Sequence, residues 1–375
     1  MDYDVIVIGA GLGGLTAGAK LAKEGKKVLV IEQHDRPGGY ATTFKRGEFT
    51  LEVGLHEMDG PAPGDMKMKI FKDLGVSGNV RFVPVPDFYH FLNGRVKVTI
   101  PHDPALATRV LTQLFPGEAK GIQAYFEQLL KPTGEVFKGE DSSIGEFLDS
   151  IIREEDLKLI LLGNLGYFHD DPYTLSLAYY TISQGSYYRG GASFIKGGSQ
   201  QLSDYLTGYI REHGGEVKLN HLVTGIITGD NQVKGVSFQQ KHKRVTDQQT
   251  AHAGMVIANN SMLRVADLLP DSTGESFRNE LTKQLTGASL LTVYYGFKHS
   301  LKHLGYTRYS TAVFDDSVRS QRDILSNNSD NYQSRSFIFT DYSQLDSGLA
   351  PEGKSVAAVC CVDYLKNWTG MDRKT

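Results

Sequence analysis

Asp4-Val5-Ile6-Val7-Ile8-Gly9-Ala10-Gly11-Leu12-Gly13-Gly14, read on to Glu32, decides how this chain folds. Residues 4–8 form a short strand, apolar after its first position and of the kind buried on both faces of a parallel sheet. A glycine-rich turn follows, then a helix over about residues 13–24 that stops at Gly25, then a second apolar strand over residues 27–31. Strand, helix and strand in so short a span make a right-handed βαβ unit. Gly9, Gly11 and Gly14 satisfy the G-x-G-x-x-G pattern, with Gly13 inside the same turn. The first glycine permits the tight turn, the second lets the backbone approach a pyrophosphate, and the third lets helix and strand pack closely. The helix N-terminus offers free N–H groups and partial positive charge to the phosphates. Glu32, closing the second strand, is placed to accept hydrogen bonds from ribose hydroxyls.

Just beyond Glu32 stands Gly38-Gly39. A glycine pair there brings backbone N–H groups to a second part of a long cofactor, which a simple NAD fold does not need. A second G-x-G-x-x-G is absent, as is C-x-x-C, which argues against the disulfide reductase type of flavoprotein.

Further along, Asn93-Gly94 between two apolar runs signals a β-hairpin. Residues 104–165 read as several helices. Residues 199–213 read as another, capped by Ser199 and ended by Gly214-Gly215. Short strands are expected at 216–219, 222–227, 233–238, 255–258, 289–297, 336–340 and 355–362, and the polar stretch 239–249 as an exposed hairpin. The fold class is α/β: a Rossmann-like FAD-binding domain, parallel sheet plus β-meander, interleaved with an α+β substrate domain. Residues 1–75 and 190–285 are assigned to the first, and 76–189 and 286–375 to the second.

The 375 residues are 40% hydrophobic and 22% charged with a net charge of −3. That balance suits a globular protein and gives no basic surplus for nucleic acid. Cys360 and Cys361 lie in an apolar strand and read as buried free thiols, which fits a reducing cytoplasm. No secretory leader and no apolar run of about 20 residues is seen.

Asp4 to Gly14, Glu32 and Gly38-Gly39 resemble the N-terminus of the FAD enzymes that include amine oxidases, phytoene desaturases and retinol saturases. Phe49-Thr50-Leu51-Glu52-Val53-Gly54-Leu55-His56 and Gly191-Ala192-Ser193-Phe194-Ile195-Lys196-Gly197-Gly198-Ser199 narrow the resemblance to phytoene desaturase and retinol saturase relatives. It implies FAD, with Glu32 on the adenosine ribose, Gly38 and Gly39 near the pyrophosphate and Val223 near the adenine. It also implies that the strand Val256-Ile257-Ala258-Asn259-Asn260 ends by the flavin, with Asn259 at the cofactor. The implied substrate is a polyene or isoprenoid lipid whose C–C bonds are desaturated or saturated, with peripheral contact at a membrane's cytoplasmic face. Two alternatives stay open: an amine or porphyrinogen oxidase, and a non-redox lipid-binding protein of the Rab GDP-dissociation-inhibitor kind. Many carotenoid desaturases of the group carry arginine after the glycine pair, where this chain has Tyr40. His56 leans towards the saturase branch. Such relatives end on a glycine-rich flavin-contacting segment that is not visible here, so a C-terminally truncated form is expected.

Candidates outside the dinucleotide motif each have a plain alternative. His56 is either a proton donor or acceptor beside the flavin, or a structural histidine tied to a loop. His169-Asp170-Asp171 reads as a solvated loop rather than a metal site, because adjacent side chains rarely converge on one ion. The tyrosines between 167 and 188 either line a polyene tunnel or pack a core. Residues 157–162 form either a core helix or a helix dipping into lipid.

Overall fold

The structure, a computed structural model, describes residues 2–60, 65–136, 142–241, 247–282, 287–329 and 331–370. Strand β1 (Val5–Ile8), helix α1 (Leu12–Lys23) and strand β2 (Val28–Ile31) form the expected βαβ unit. The sheet runs Glu216–Lys218, β2, β1, Met255–Ala258, all parallel, with Val5 opposite Val28 on one side and Met255 on the other. It therefore takes strands from the first 31 residues and from 216–258.

Period-two alternation explains why β1 and β2 are apolar throughout. Val5, Val7, Val28 and Val30 pack on Leu15 and Ala19 of α1 and on Leu202, Leu206 and Ile210 of the helix Gln200–Glu212. Ile6, Ile8, Leu29 and Ile31 face the other way, onto Val223, Ile226, Val236 and Phe238. Those residues belong to the antiparallel meander of His221–Gly229, Gln232–Gln240 and Gln249–His252. Both faces are covered, so no polar position is tolerated. The hairpin tip at 242–246 lies outside the described residues.

A six-stranded mixed sheet forms the second layer, in the order Ser289–Phe297, Ser355–Asp363, Phe337–Asp341, Ser310–Val313, Tyr89–Leu92, Lys97–Ile100. The hairpin at Asn93-Gly94 is present, its antiparallel strands pairing Leu92 with Lys97. Helices from Pro104–Leu114 to Leu177–Gly190 pack on this sheet around Phe91, Ile122, Tyr125, Leu148, Ile160 and Tyr180. Residues 157–162 lie inside this core: Leu157, Leu159, Ile160 and Leu162 are fully enclosed. The lipid-dipping alternative is thereby removed. Lys158, whose charge suggested a surface, is itself buried with its ammonium bonded to Asp149 and Glu155 at 2.7 Å each.

Among the described residues, two edge strands carry exposed apolar side chains. Met255–Ala258 closes the parallel sheet with Met255 53% exposed. Ser289–Phe297 closes the mixed sheet with Leu290, Val293 and Tyr295 each more than two-fifths exposed. No described helix is long and apolar enough to cross a membrane.

Candidate cofactor and redox site

At the carboxyl ends of β1 and β2 lies a cavity of about 810 Å³, the position at which open parallel sheets bind ligands. Gly9 turns the chain with φ +95°. A Cβ on Gly14 would fall 2.2 Å from the Gly9 carbonyl oxygen, so only glycine lets α1 start so close to β1. α1 has no side-chain cap and no acidic residue in its first turn. Its first N–H groups are thus open to an anion rather than satisfied internally.

Glu32 is buried, and both its oxygens are engaged. Oε2 accepts the Ala10 amide at 2.8 Å, and Oε1 accepts the His34 amide at 2.8 Å. Each carboxylate oxygen keeps a further lone pair, so Glu32 holds the turn in shape while still offering acceptors to the cavity. Gly38 and Gly39 have φ of +121° and +63°, and the Gly38 amide donates to the Ala10 carbonyl at 2.7 Å. This bond lays the glycine pair against the first turn. A Cβ on Gly38 would collide with the Ala41 carbonyl at 2.2 Å. Val223 lines the cavity from the meander.

Asn259 enters where β1 meets its parallel neighbour, its backbone N–H on the Ile8 carbonyl at 2.8 Å. Its side-chain amide lies against the glycine turn: Cβ atoms on Gly11 and Gly13 would stand 3.0 Å from Nδ2 and 2.6 Å from Oδ1. Next to it, Asn260 borders the same cavity, and its enclosed side-chain oxygen has no hydrogen-bond partner among the described residues. A buried unsatisfied acceptor is rare, and this one stands on a residue of the cavity wall. The glycine cradle, the carboxylate, the open helix end and this orphaned amide together fit a dinucleotide. Asn260 carries no signal in the sequence beyond following Asn259, and Arg264, also on the cavity wall, carries none.

His56 lies elsewhere. Its ring is buried, stacked on Tyr167 at 4.8 Å, with Nδ1 2.9 Å from the Tyr342 hydroxyl. The Tyr309 phenol donates to its backbone carbonyl. Burial pushes the imidazole down to about 4, so the ring is neutral at pH 7. It does not border the dinucleotide cavity.

Ser199 does not cap its helix. Its hydroxyl and its amide both go to the Glu52 carboxylate instead, at 2.6 and 2.7 Å. Tyr180 and Tyr188 are closed into the helical core, whereas Tyr167 borders a narrow apolar cleft with Leu165, Leu290, Phe314, Ile338 and Val362. Among the described residues no group of histidine, cysteine and carboxylate side chains is arranged to hold a metal, and both cysteines are free thiols.

Residues 12–375 match the family of flavin containing amine oxidoreductases. An all-trans-retinol 13,14-reductase of Danio rerio is 26% identical over 352 residues, covering 81% of this chain and 55% of that protein. A chloroplastic prolycopene isomerase of Daucus carota is 26% identical over 407 residues, covering 100% and 63%. The chain thus spans little more than half to two thirds of these curated relatives. A solved oxidoreductase from Methanosarcina mazei shares the fold with a TM-score of 0.74 at 18% identity, over 97% of this chain and 80% of its own. Rab GDI from Plasmodium falciparum also shares it, with a TM-score of 0.56 at 13% identity, over 98% and 85%. With the glycine cradle and its carboxylate in place, these matches mean that the chain belongs to the flavin-containing amine oxidoreductase family and that its cofactor is FAD.

Proposed function

We propose that this oxidoreductase acts on C–C bonds of a polyene or isoprenoid lipid. The observation that carries the reading is the apolar character of the space around the cofactor cavity. An open groove of about 940 Å³, with Leu55, Met58, Ile70, Phe71, Ile195 and Leu202 on its apolar wall and Lys20, Lys67, Lys69 and Asp73 also lining it, shares Leu12, Gly13, Tyr40 and Ala41 with that cavity. The apolar part of this wall suits a hydrocarbon chain, with Lys67 and Lys69 gathered on the helix Met66–Asp73 side. The relatives named for retinol and carotenoid substrates support the same class.

In this reading the α1 N-terminus and Gly11 receive the pyrophosphate, Glu32 accepts the ribose hydroxyls, Gly38 and Gly39 border the phosphates and Val223 backs the adenine. FAD supplies two-electron hydride chemistry when bound. The protein's share is to orient the lipid and exclude water. Contact with a lipid surface belongs to the proposal, and the helix Met66–Asp73 on the groove wall is placed for it. Met66 is 64% exposed beside Lys67, Lys69 and Lys72.

The test is anaerobic mixing of the FAD-loaded protein with retinoids, carotenoids and amines, in both oxidised and photoreduced states, with product analysis. A change in flavin absorbance with a polyene alone supports the reading. Turnover of amines alone, or binding of prenyl lipid with no flavin retained, overturns it.

A further inference from the structure

Tyr40 follows the glycine pair Gly38-Gly39 directly, and its residue surface is 85% exposed. It borders the cofactor cavity and the apolar groove at once. The backbone beneath it is fixed on both flanks. The Ala41 amide donates to the Gly38 carbonyl at 3.0 Å, and the Val53 amide to the Thr42 carbonyl at 3.0 Å. The Ser203 hydroxyl donates to the Ala41 carbonyl at 2.7 Å. Gly54 closes in from the next segment, where an added Cβ would stand 2.9 Å from the Tyr40 carbonyl oxygen and 3.3 Å from its Cβ. The side chain above this platform is unengaged. Among the described residues its phenol has no hydrogen-bond partner and its ring no aromatic neighbour.

A large aromatic ring held in water on a fixed backbone gains free energy when a flat apolar partner covers it. The order of groups along the cavity points to that partner. With the adenosine at Glu32 and Val223 and the pyrophosphate at Gly11 and Gly38-Gly39, the ribityl chain and the isoalloxazine still have to be housed. Leu12, Gly13, Tyr40 and Ala41 stand on the boundary between cavity and groove, and of these Tyr40 alone carries a ring. The groove behind them has the apolar wall that a tricyclic ring system needs.

We propose that the Tyr40 ring packs against the isoalloxazine of bound FAD at the boundary between the cofactor cavity and the groove. The contact fixes where the redox-active ring meets the groove. It presupposes FAD with its adenosine at Glu32 and Val223, and it needs no polyene.

Chemical modification reads the contact. In the flavin-free protein, tetranitromethane nitrates Tyr40, as mapped by mass spectrometry. Saturating FAD protects it severalfold, whereas saturating ADP, which carries the adenosine and pyrophosphate alone, leaves it reactive. Flavin fluorescence is the second readout, because a phenol touching an excited isoalloxazine passes it an electron and quenches it. Tyr40→Phe keeps a ring of the same shape that is harder to oxidise, so FAD is retained while the flavin lifetime lengthens severalfold. Tyr40→Ala removes the ring and weakens FAD binding about 10-fold. Its flavin-free form melts as the wild type does, since the side chain lies in water. Protection by ADP equal to that by FAD would place the phenol on the phosphates and overturn the proposal. Absence of protection by FAD overturns it too, as do equal flavin lifetimes in wild type and Tyr40→Phe. FAD held as tightly by Tyr40→Ala as by the wild type does the same. None of these readouts uses a substrate, so failure of the polyene reading leaves them intact.

Discussion

Glu52 and Ser199, 147 residues apart, are joined by two short hydrogen bonds, amide to Oε2 at 2.7 Å and hydroxyl to Oε1 at 2.6 Å. The pair fastens the strand Phe49–Glu52 to the N-terminal end of the helix Gln200–Glu212. Oε1 also accepts the Leu55 amide at 3.2 Å, so one carboxylate satisfies three donors. Burial nevertheless holds its pKa above the ordinary carboxylate value, with those donors opposing the shift. Glu52→Ala is therefore expected to lose about 2–4 kcal/mol in urea denaturation, from unsatisfied buried groups. Glu52→Gln, which can still accept with one oxygen, should lose less; equal losses would mean that the carboxylate's bonds contribute little.

Glu32→Ala removes the acceptor for two backbone amides and for the proposed ribose contacts. FAD affinity should fall by roughly 2–3 kcal/mol, the range for hydrogen bonds to a charged group. Flavin occupancy after dialysis measures it, and retention equal to the wild type would remove Glu32 from the ribose site.

The glycines separate into those the fold needs and those it does not. Gly14→Ala sets a Cβ 2.2 Å from the Gly9 oxygen and should abolish FAD retention. Gly208, in the middle of the helix Gln200–Glu212, has nothing within 4 Å of an added Cβ. Gly208→Ala should raise stability by about 0.5–1 kcal/mol. Thermal melts of the two variants give opposite signs if the turn is built as described.

Stability should fall towards both ends of the pH scale, for opposite reasons. Glu57 holds its proton up to about 8 in the fold against an ordinary 4.5, so its contribution is complete below pH 4.5 and is lost as pH rises to 8. In that window the unfolded chain binds fewer protons, which makes the slope negative. His56, His90 and His102, all lowered to about 4 chiefly by burial, act in reverse: their contribution is complete above pH 6.5 and is lost as pH falls to 4. Denaturation midpoints across this range should show Glu57→Gln losing the alkaline decline and keeping the acid one. A variant that follows the wild type throughout would place the Glu57 carboxyl in water.

Flotation with anionic liposomes tests the lipid contact proposed at Met66. The protein should float at low salt, and Met66→Ser with Lys69→Ser should weaken this severalfold. Complete recovery in the lipid-free fraction at low and moderate salt removes the contact.

The dinucleotide turn was legible in the sequence because its physics is local. Gly9, Gly14 and Glu32 act within one βαβ unit, and their spacing is their geometry. The Glu52–Ser199 pair was not, since a serine before a helix carries the same local signal whether it caps or not. What diverted its hydroxyl came from a strand 147 positions away. Residues 157–162 were ambiguous for a related reason. An apolar run with one lysine suits either a surface or a core, and the partners that neutralise Lys158 include Asp149, on another helix. Glu57 follows His56 in the sequence with no local signal of its own. That its Oε2 is enclosed with no hydrogen-bond partner among the described residues is visible only in the fold.

The two apolar edge strands found among the described residues make this molecule's company a matter of concentration. Met255–Ala258 and Ser289–Phe297 each offer a neighbouring polypeptide a template of strand-forming backbone flanked by greasy side chains. Neither carries a lysine or proline to repel an approaching strand. Dilute, each molecule keeps these edges wet; crowded, it meets others whose edges match its own, and pairing strand to strand extends a ladder with no geometric end. Handling the protein is thus a colloid problem before it is an enzymological one, with detergent or a short capping peptide acting on the same two seams.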